Sequence, residues 1–230
     1  MSDRSDDRRD SKADAPVLIT DEDERAAREA TNGLLQFDLG MKIVEAYVIA
    51  PDRPFRLRPS IILQLHDAAL NGLSAYAGNW RPGPLEISKS KHKPPDRILV
   101  PEFVEDMCDY VNDHWESTAV HLAAYLMWRL NWIHPFDDGN GRTSRIVSYI
   151  VMCIRLGTKL PGTPSIPEQI SKDRRPYFAA IEAADAACLE GRLDVSEMEK
   201  LLTGMLATQL LSVVRDAGGT IAGALLQKLQ

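Results

Sequence analysis

Apolar residues recur at helical spacing along most of the chain and almost nowhere in the alternation of a half-buried strand. Thr20, followed by Asp21, Glu22 and Asp23 in a first turn, predicts a helix over 24–36 with a break near Asn32 and Gly33. Residues 44–49 read as a buried stretch and 51–59 as a proline-bearing connector. A second helix is predicted over 60–73, facing inward through Ile61, Leu63 or Leu65, and Ala68. In 101–114, Phe103, Val104, Met107, Cys108 and Val111 share one side. Residues 117–133 carry Val120, Ala123, Ala124, Met127, Leu130 and Trp132, too many for one stripe, which predicts a central helix. Further helices are expected from 141 or 142 to about 156, over 173–188 opening near Pro176, and over 195–229 in one or two pieces divided at Gly218 and Gly219. Residues 161–167 read as a loop.

Two stretches break this pattern. Between 76 and 98, Gly78, Gly83 and prolines at 82, 84, 94 and 95 bracket Leu85, Glu86, Ile87, Ser88 and Lys89, which suits a small β-hairpin or extended flap. Residues 1–19 are dense in Asp, Arg and Ser and poor in large apolar side chains, the composition of a disordered tail. The expected class is all-α with one small β element. Its expected parts are a tail over 1–19, an N-terminal helical extension over 20–59, a core over 60–190 and C-terminal helices over 191–230.

Composition narrows the setting. With 230 residues, 44% hydrophobic and 26% charged, the chain is long enough for one soluble domain with a sizeable core. A net charge of −6, with both signs mixed, gives no reason to expect nucleic acid or an anionic membrane as partner. The longest apolar run, around 146–154, is too short to span a bilayer, and no basic leader precedes an apolar segment. The three cysteines, Cys108, Cys153 and Cys188, form no close pair and read as buried thiols in a reducing cytoplasm.

The chemistry concentrates in residues 134–145, His-Pro-Phe-Asp-Asp-Gly-Asn-Gly-Arg-Thr-Ser-Arg. Pro135 disfavours the helical region at His134, so the central helix should end there. Gly139 and Gly141 flank Asn140, and all three tolerate positive φ. A glycine-bracketed turn opening a helix is a general way to hold phosphate, since unsatisfied N–H groups and the positive dipole end both face the anion. Arg142 and Arg145 share a face of the first turn, where arginine costs about 0.3–1 kcal/mol unless an anion sits between them. The pair therefore implies a polyphosphate. Asp138 is a hard ligand suited to a Mg²⁺ shared with phosphate oxygens. His134, with an ordinary pKa near ~6.5, can take a proton from a hydroxyl. Phe136 reads as an apolar anchor for the loop.

The segment resembles the signature of the Fic family, H-P-F-x-[D/E]-G-N-G-R-x-x-R, at every defined position. Other stretches agree in order: Gly78-Asn-Trp-Arg81, then Ser90-Lys-His-Lys-Pro-Pro95, then Val100-Pro101, and finally Arg175-Pro-Tyr-Phe-Ala-Ala-Ile181. The likeness runs from about Ile61 to Asp185. It implies a helical bundle with a flap, and transfer of AMP from Mg-ATP to a Ser, Thr or Tyr hydroxyl of a target protein, releasing pyrophosphate. In that scheme His134 is the base and Asp138 holds Mg²⁺. Gly139, Asn140 and Gly141 cradle the phosphates, Arg142 binds them, and Arg145 takes the γ-phosphate. Related kinases carry lysine where this chain has Gly141, so nucleotidyl rather than phosphoryl transfer is favoured.

The flap, Leu85, Glu86, Ile87, Ser88, Lys89 and His92, would accept a target peptide as an added strand. Lys89, Lys91 and Lys93 would suit an acidic target segment or simply a solvated edge. Many relatives carry an inhibitory helix, [S/T]-x-x-x-E-[G/N], whose glutamate pairs with the second motif arginine. No intact copy is found: Thr20 and Glu24 are followed by Arg25, and the stretch from Glu29 to Asp38 offers no glutamate at the expected place. Inhibition by a small partner protein bearing such a glutamate, or by self-assembly into a homo-oligomer, would then regulate the chain. The alternatives are transfer of UMP, GMP or phosphocholine, or a nucleotide-binding regulatory module without transfer.

Overall fold

The computed structural model describes residues 11–12, 16, 18–50 and 54–228 of the chain. Among these are eight α-helices and one two-stranded pairing. At the centre lie α4 (Ala119–Ile133) and α5 (Asn140–Arg155), consecutive helices joined by the loop 134–139. α4 starts at Thr118, whose hydroxyl accepts the His121 N–H at 3.1 Å, and buries Leu122, Leu126, Leu130 and Ile133 completely. α5 is inside nearly all round, with Val147, Ile150, Val151 and Cys153 fully buried. Around this pair pack α1 (Glu22–Val48), α2 (Pro59–Leu70) and α3 (Val100–Asp113). The short α6 (Ile166–Lys172), α7 (Arg175–Leu189) and α8 (Ser196–Lys228) complete the bundle. No helix among the described residues is long and apolar enough to cross a membrane.

Local sequence explains most boundaries, and tertiary contacts explain the departures. Asp21, not Thr20, caps α1, accepting the Glu24 N–H at 2.8 Å. The helix then runs unbroken through Asn32 and Gly33 because Asn32 is buried against α2, its amide donating to the carbonyls of Ala69 at 3.2 Å and Asn71 at 2.8 Å. Gln36 repeats the device, donating to the Leu65 carbonyl at 3.0 Å. Of the stretch expected to be buried over 44–49, Val44 is fully inside and Ile49 is 71% exposed. Residues expected in a loop supply the start of α6. α8 is continuous through Gly218 and Gly219, and the end expected at Leu229 lies outside the described residues.

The β element also departs from expectation. Glu86–Ile87 forms β2, but its partner is not a second flap strand. Prolines at 82, 84, 94 and 95 remove donors on both sides, so no local hairpin closes. β2 instead pairs antiparallel with β1, Ser11–Lys12, in the register Ser11 opposite Ile87 and Lys12 opposite Glu86. Part of the segment expected to be a disordered tail is therefore an ordered strand, and Ile19 packs on a small cluster of Ala69, Leu70 and Leu73. Most of that tail lies outside the described residues.

Candidate active site

The end of α4, the loop 134–139 and the start of α5 form the floor of a cleft of about 390 Å³, a size suited to a nucleotide-sized ligand. His134 is the C-cap of α4, held in the left-handed region at φ 51° rather than in the extended conformation that a following proline favours. That strained backbone turns the ring back over the helix end, so Nδ1 lies 3.1 Å from the Asn131 carbonyl. A carbonyl only accepts, so Nδ1 carries the proton and Nε2 has the lone pair. Burial drives the pKa of His134 down to about 4, and the ring is neutral at physiological pH.

α5 opens at Gly139, which has φ +76°. A Cβ there would overlap Leu70 Cδ2, so conformation and space both demand glycine. The first amides of α5 have no acceptor within the helix, and Gly139, Asn140, Gly141 and Arg142 line the cleft. Asn140 departs from the expected role in one respect. Its side chain accepts the Phe136 N–H at 3.0 Å and donates to the Phe136 carbonyl at 2.9 Å, so it locks the loop and offers an anion only its backbone. Phe136 is fully buried and stacked 3.6 Å from His66, the anchor its chemistry suggested. Gly141 leaves room for Arg145, whose guanidinium would be 3.2 Å from a Cβ added there. Arg145 is 9% exposed; burial lowers its pKa to about 10, which leaves it cationic at neutral pH.

Asp138 and Arg142 meet at 3.0 Å, and α1 brings two further charges to the same spot. Arg25 lies 3.3 Å from Glu29 and 3.6 Å from Asp138, and Glu29 lies 4.0 Å from Arg142. The α1 stretch carries no intact inhibitory motif, as expected from the sequence, yet it brings one acidic group to the site. Glu29 does reach it, facing Arg142 rather than Arg145. Sequence comparison passed it over because Arg25 and Ala30 stand where the inhibitory pattern has Ser or Thr and Gly or Asn. Among the described residues no group of three or more acidic, His or Cys side chains could hold a metal alone. Mg²⁺ commonly binds through one or two carboxylates with phosphate and water completing its shell, and Asp138 beside the cradle fits that mode.

Three residues to which the sequence assigned no role position the rest, two of them, Arg81 and Tyr177, within the stretches that carry the resemblance. Arg81 is buried at the flap base, its Nε donating to the His134 carbonyl at 2.9 Å and its Nη1 to Gly83 at 2.9 Å, with Nη2 reaching Pro95. One side chain thus ties both ends of the flap to the residue carrying the imidazole. His66 donates from Nε2 to the Asp138 carbonyl at 3.1 Å while its Nδ1 accepts the Gly78 N–H. Burial lowers its pKa to about 4. Tyr177, from α7, meets Asn131 at 2.7 Å and Ser144 at 3.1 Å beneath the motif.

Of the flap residues, Ile87 and His92 line the cleft, joined by Ser90. His92 donates to the Trp132 carbonyl at 2.7 Å and so is fastened to α4. Glu86 lies in β2 beside Ile87, and Lys89 turns the chain at φ 56°. The far wall is formed by Arg174, Tyr177, Phe178, Ile181 and Asp185.

Fold and site together define an all-α domain with a glycine-opened N-terminus of its central helix at the floor of a cleft and a neutral imidazole beside it. The model of the Fic/DOC family matches residues 56–152, and this part of the chain belongs to that family. A protein of Caenorhabditis briggsae named "Protein adenylyltransferase fic-1" is 31% identical over 129 residues, covering 54% of this chain and 23% of that protein. "Protein adenylyltransferase Fic" of Drosophila willistoni is 30% identical over 119 residues, 50% of this chain and 23% of that one. The chain thus matches less than a quarter of the length of these relatives. Among solved structures, a Fic-domain signaling protein of Bacteroides thetaiotaomicron aligns with TM-score 0.64 at 22% identity, over 82% of this chain and 73% of the other. Fic-1 of Caenorhabditis elegans aligns at 0.62 and 20%, over 90% and 55%. These likenesses show the shared fold.

Proposed function

We propose that the chain transfers AMP from Mg-ATP to a Ser, Thr or Tyr hydroxyl of a target protein. One observation carries the reading: a neutral imidazole with its Nε2 lone pair set by Asn131 shares a cleft with the N-terminus of α5, Arg142 and Arg145. The names of the relatives support the same chemistry. The triphosphate would lie over the first amides of α5, with Arg142 and Arg145 on its oxygens and the base against Tyr177, Phe178 and Ile181. Asp138 would hold Mg²⁺, which when bound offsets phosphate charge. The acceptor hydroxyl, delivered along the flap, would give its proton to His134 Nε2 as its oxygen bonds the α-phosphorus and pyrophosphate leaves in line. The protein supplies position and positive charge, the larger part of catalysis in such transfers.

The test is incubation of the protein, alone and with lysate, with Mg²⁺ and ATP, GTP, CTP or UTP in parallel, followed by mass spectrometry. A His134-dependent AMP adduct is expected. A His134-dependent adduct of another nucleotide alone would replace AMP in the reading, and no adduct with any nucleotide would leave a binding module.

A further inference from the structure

We propose that Arg129 of α4 anchors an acidic side chain of the target protein, so that the chain selects acceptor hydroxyls lying a few residues from a glutamate or aspartate. As a statement about targets this rests on the transfer reading above; as a binding site it rests on geometry. Arg129 is half-buried, its guanidinium carbon 4.2 Å from the ring centre of Trp132, 5.4 Å from that of Phe103 and 5.7 Å from that of Trp128. Its Nε is buried without a hydrogen-bond partner. Among the described residues the side chain makes no ion pair, although Phe103 belongs to α3, which exposes Glu102, Glu105 and Asp106. An arginine stacked on aromatic rings keeps its in-plane N–H donors in a fixed fork, the geometry that takes a carboxylate bidentately.

The aromatic platform is joined to the cleft at two points. Trp132 and His92 have ring centres 5.5 Å apart, the Trp132 carbonyl receives the His92 N–H, and His92 lines the cleft together with His134. Trp128 donates its indole N–H at 2.8 Å to Asp185, another cleft residue. From the His92 ring across Trp132 to the Arg129 guanidinium is therefore at most ~10 Å, about three residues of extended peptide. Charge favours the same partner. Residues 89–97 expose Lys89, Lys91, Lys93 and Arg97 against one carboxylate, Asp96, in a chain whose net charge is −6. Exposed lysines steer an acidic segment toward the flap, and the stacked fork of Arg129 fixes where its carboxylate stops.

The test reads the binding of fluorescent peptides to the full chain by anisotropy, without nucleotide. Each peptide carries one Thr, with a pair of Glu about three residues before or after it, and a control has Gln in their place. One Glu peptide is expected to bind several-fold tighter than its control at low salt. Arg129→Gln should abolish that preference, and Arg129→Glu should turn it toward a peptide with Lys at the same positions, which a merely structural role would not do. Equal binding of Glu and Gln peptides would overturn the inference. So would a Glu preference that survives Arg129→Gln, since the flap lysines alone would then account for it. Nucleotide separates this inference from the reading beneath it. His134-dependent adducts on lysate proteins, without any Glu preference in binding, would overturn the role of Arg129 alone. Glu-selective binding lost in Arg129→Gln, with no adduct from any nucleotide, would overturn the transfer reading and leave an acidic-peptide site.

Discussion

At the scale of single residues the site depends on a histidine kept neutral by burial. The pKa of His134 is about 4, so kcat/KM should stay level from pH 8 to about 5.5 and fall only as pH nears 4. An acid limb centred near ~6.5, the ordinary histidine value, would show that His134 is not the base in the free enzyme. Glu29 suggests a second measurement. It sits in a ring with Arg25, Asp138 and Arg142, and an incoming phosphate must displace carboxylate from arginine. Glu29→Gln should therefore tighten Mg-ATP binding several-fold by calorimetry, whereas Glu29→Asp should not. Gly139→Ala meets both a positive φ and the side chain of Leu70. It should cost roughly 1–3 kcal/mol from backbone strain before the clash is counted, and adding Leu70→Ala should recover only the part owed to the clash, as read by urea denaturation.

Elements show which parts of this arrangement could be read in advance. Most helix ends follow from the chain itself: Thr118 begins α4, Pro101 sits in the first turn of α3, and Pro135 follows the last turn of α4. The motif residues are legible for the same reason, since all lie within one turn and one helix start. Residues 161–167, expected as a loop, conceal the start of α6, although Ser165 and Glu168 have the spacing of a capping box and Glu168 accepts the Ser165 N–H at 2.6 Å. The continuity of α1 was not legible either. Asn32 reads as a breaker until the carbonyls it meets on α2, far along the chain, are known. Glu29 was hidden likewise, since its meaning comes from Arg142 and not from its neighbours. The flap belongs to this scale. Arg81 ties both of its ends to the His134 carbonyl, so Arg81→Lys, which keeps the charge and loses the fork, should lower kcat more than it raises KM for ATP. It should also speed proteolysis between 82 and 95.

For the whole molecule, two histidines link stability to pH. His66 and His134 are both buried with pKa values near 4, below the ordinary 6.5. Between those values the unfolded chain binds protons that the folded one does not, so stability is complete above about 6.5 and falls as pH drops toward 4. Each shift corresponds to at most ~3 kcal/mol, and the urea midpoint should drop clearly between pH 7.5 and 5. His66→Phe, which keeps a ring against Phe136, should remove part of that slope. Farther along α5, Gln209 from α8 is fully buried, donating to Tyr149 at 2.8 Å and accepting the Ile166 N–H at 3.1 Å. Gln209→Leu removes both bonds, leaves the buried Ile166 N–H without this acceptor, and should cost ~2–4 kcal/mol. One helix thus holds the cradle at its first turn and the keystone of the bundle two turns on. A protein built this way has no intact fold from which the site has melted: on heating, ligand binding and near-ultraviolet dichroism should vanish at one temperature, and a nucleotide that grips the first turn of α5 should raise that temperature for all eight helices together.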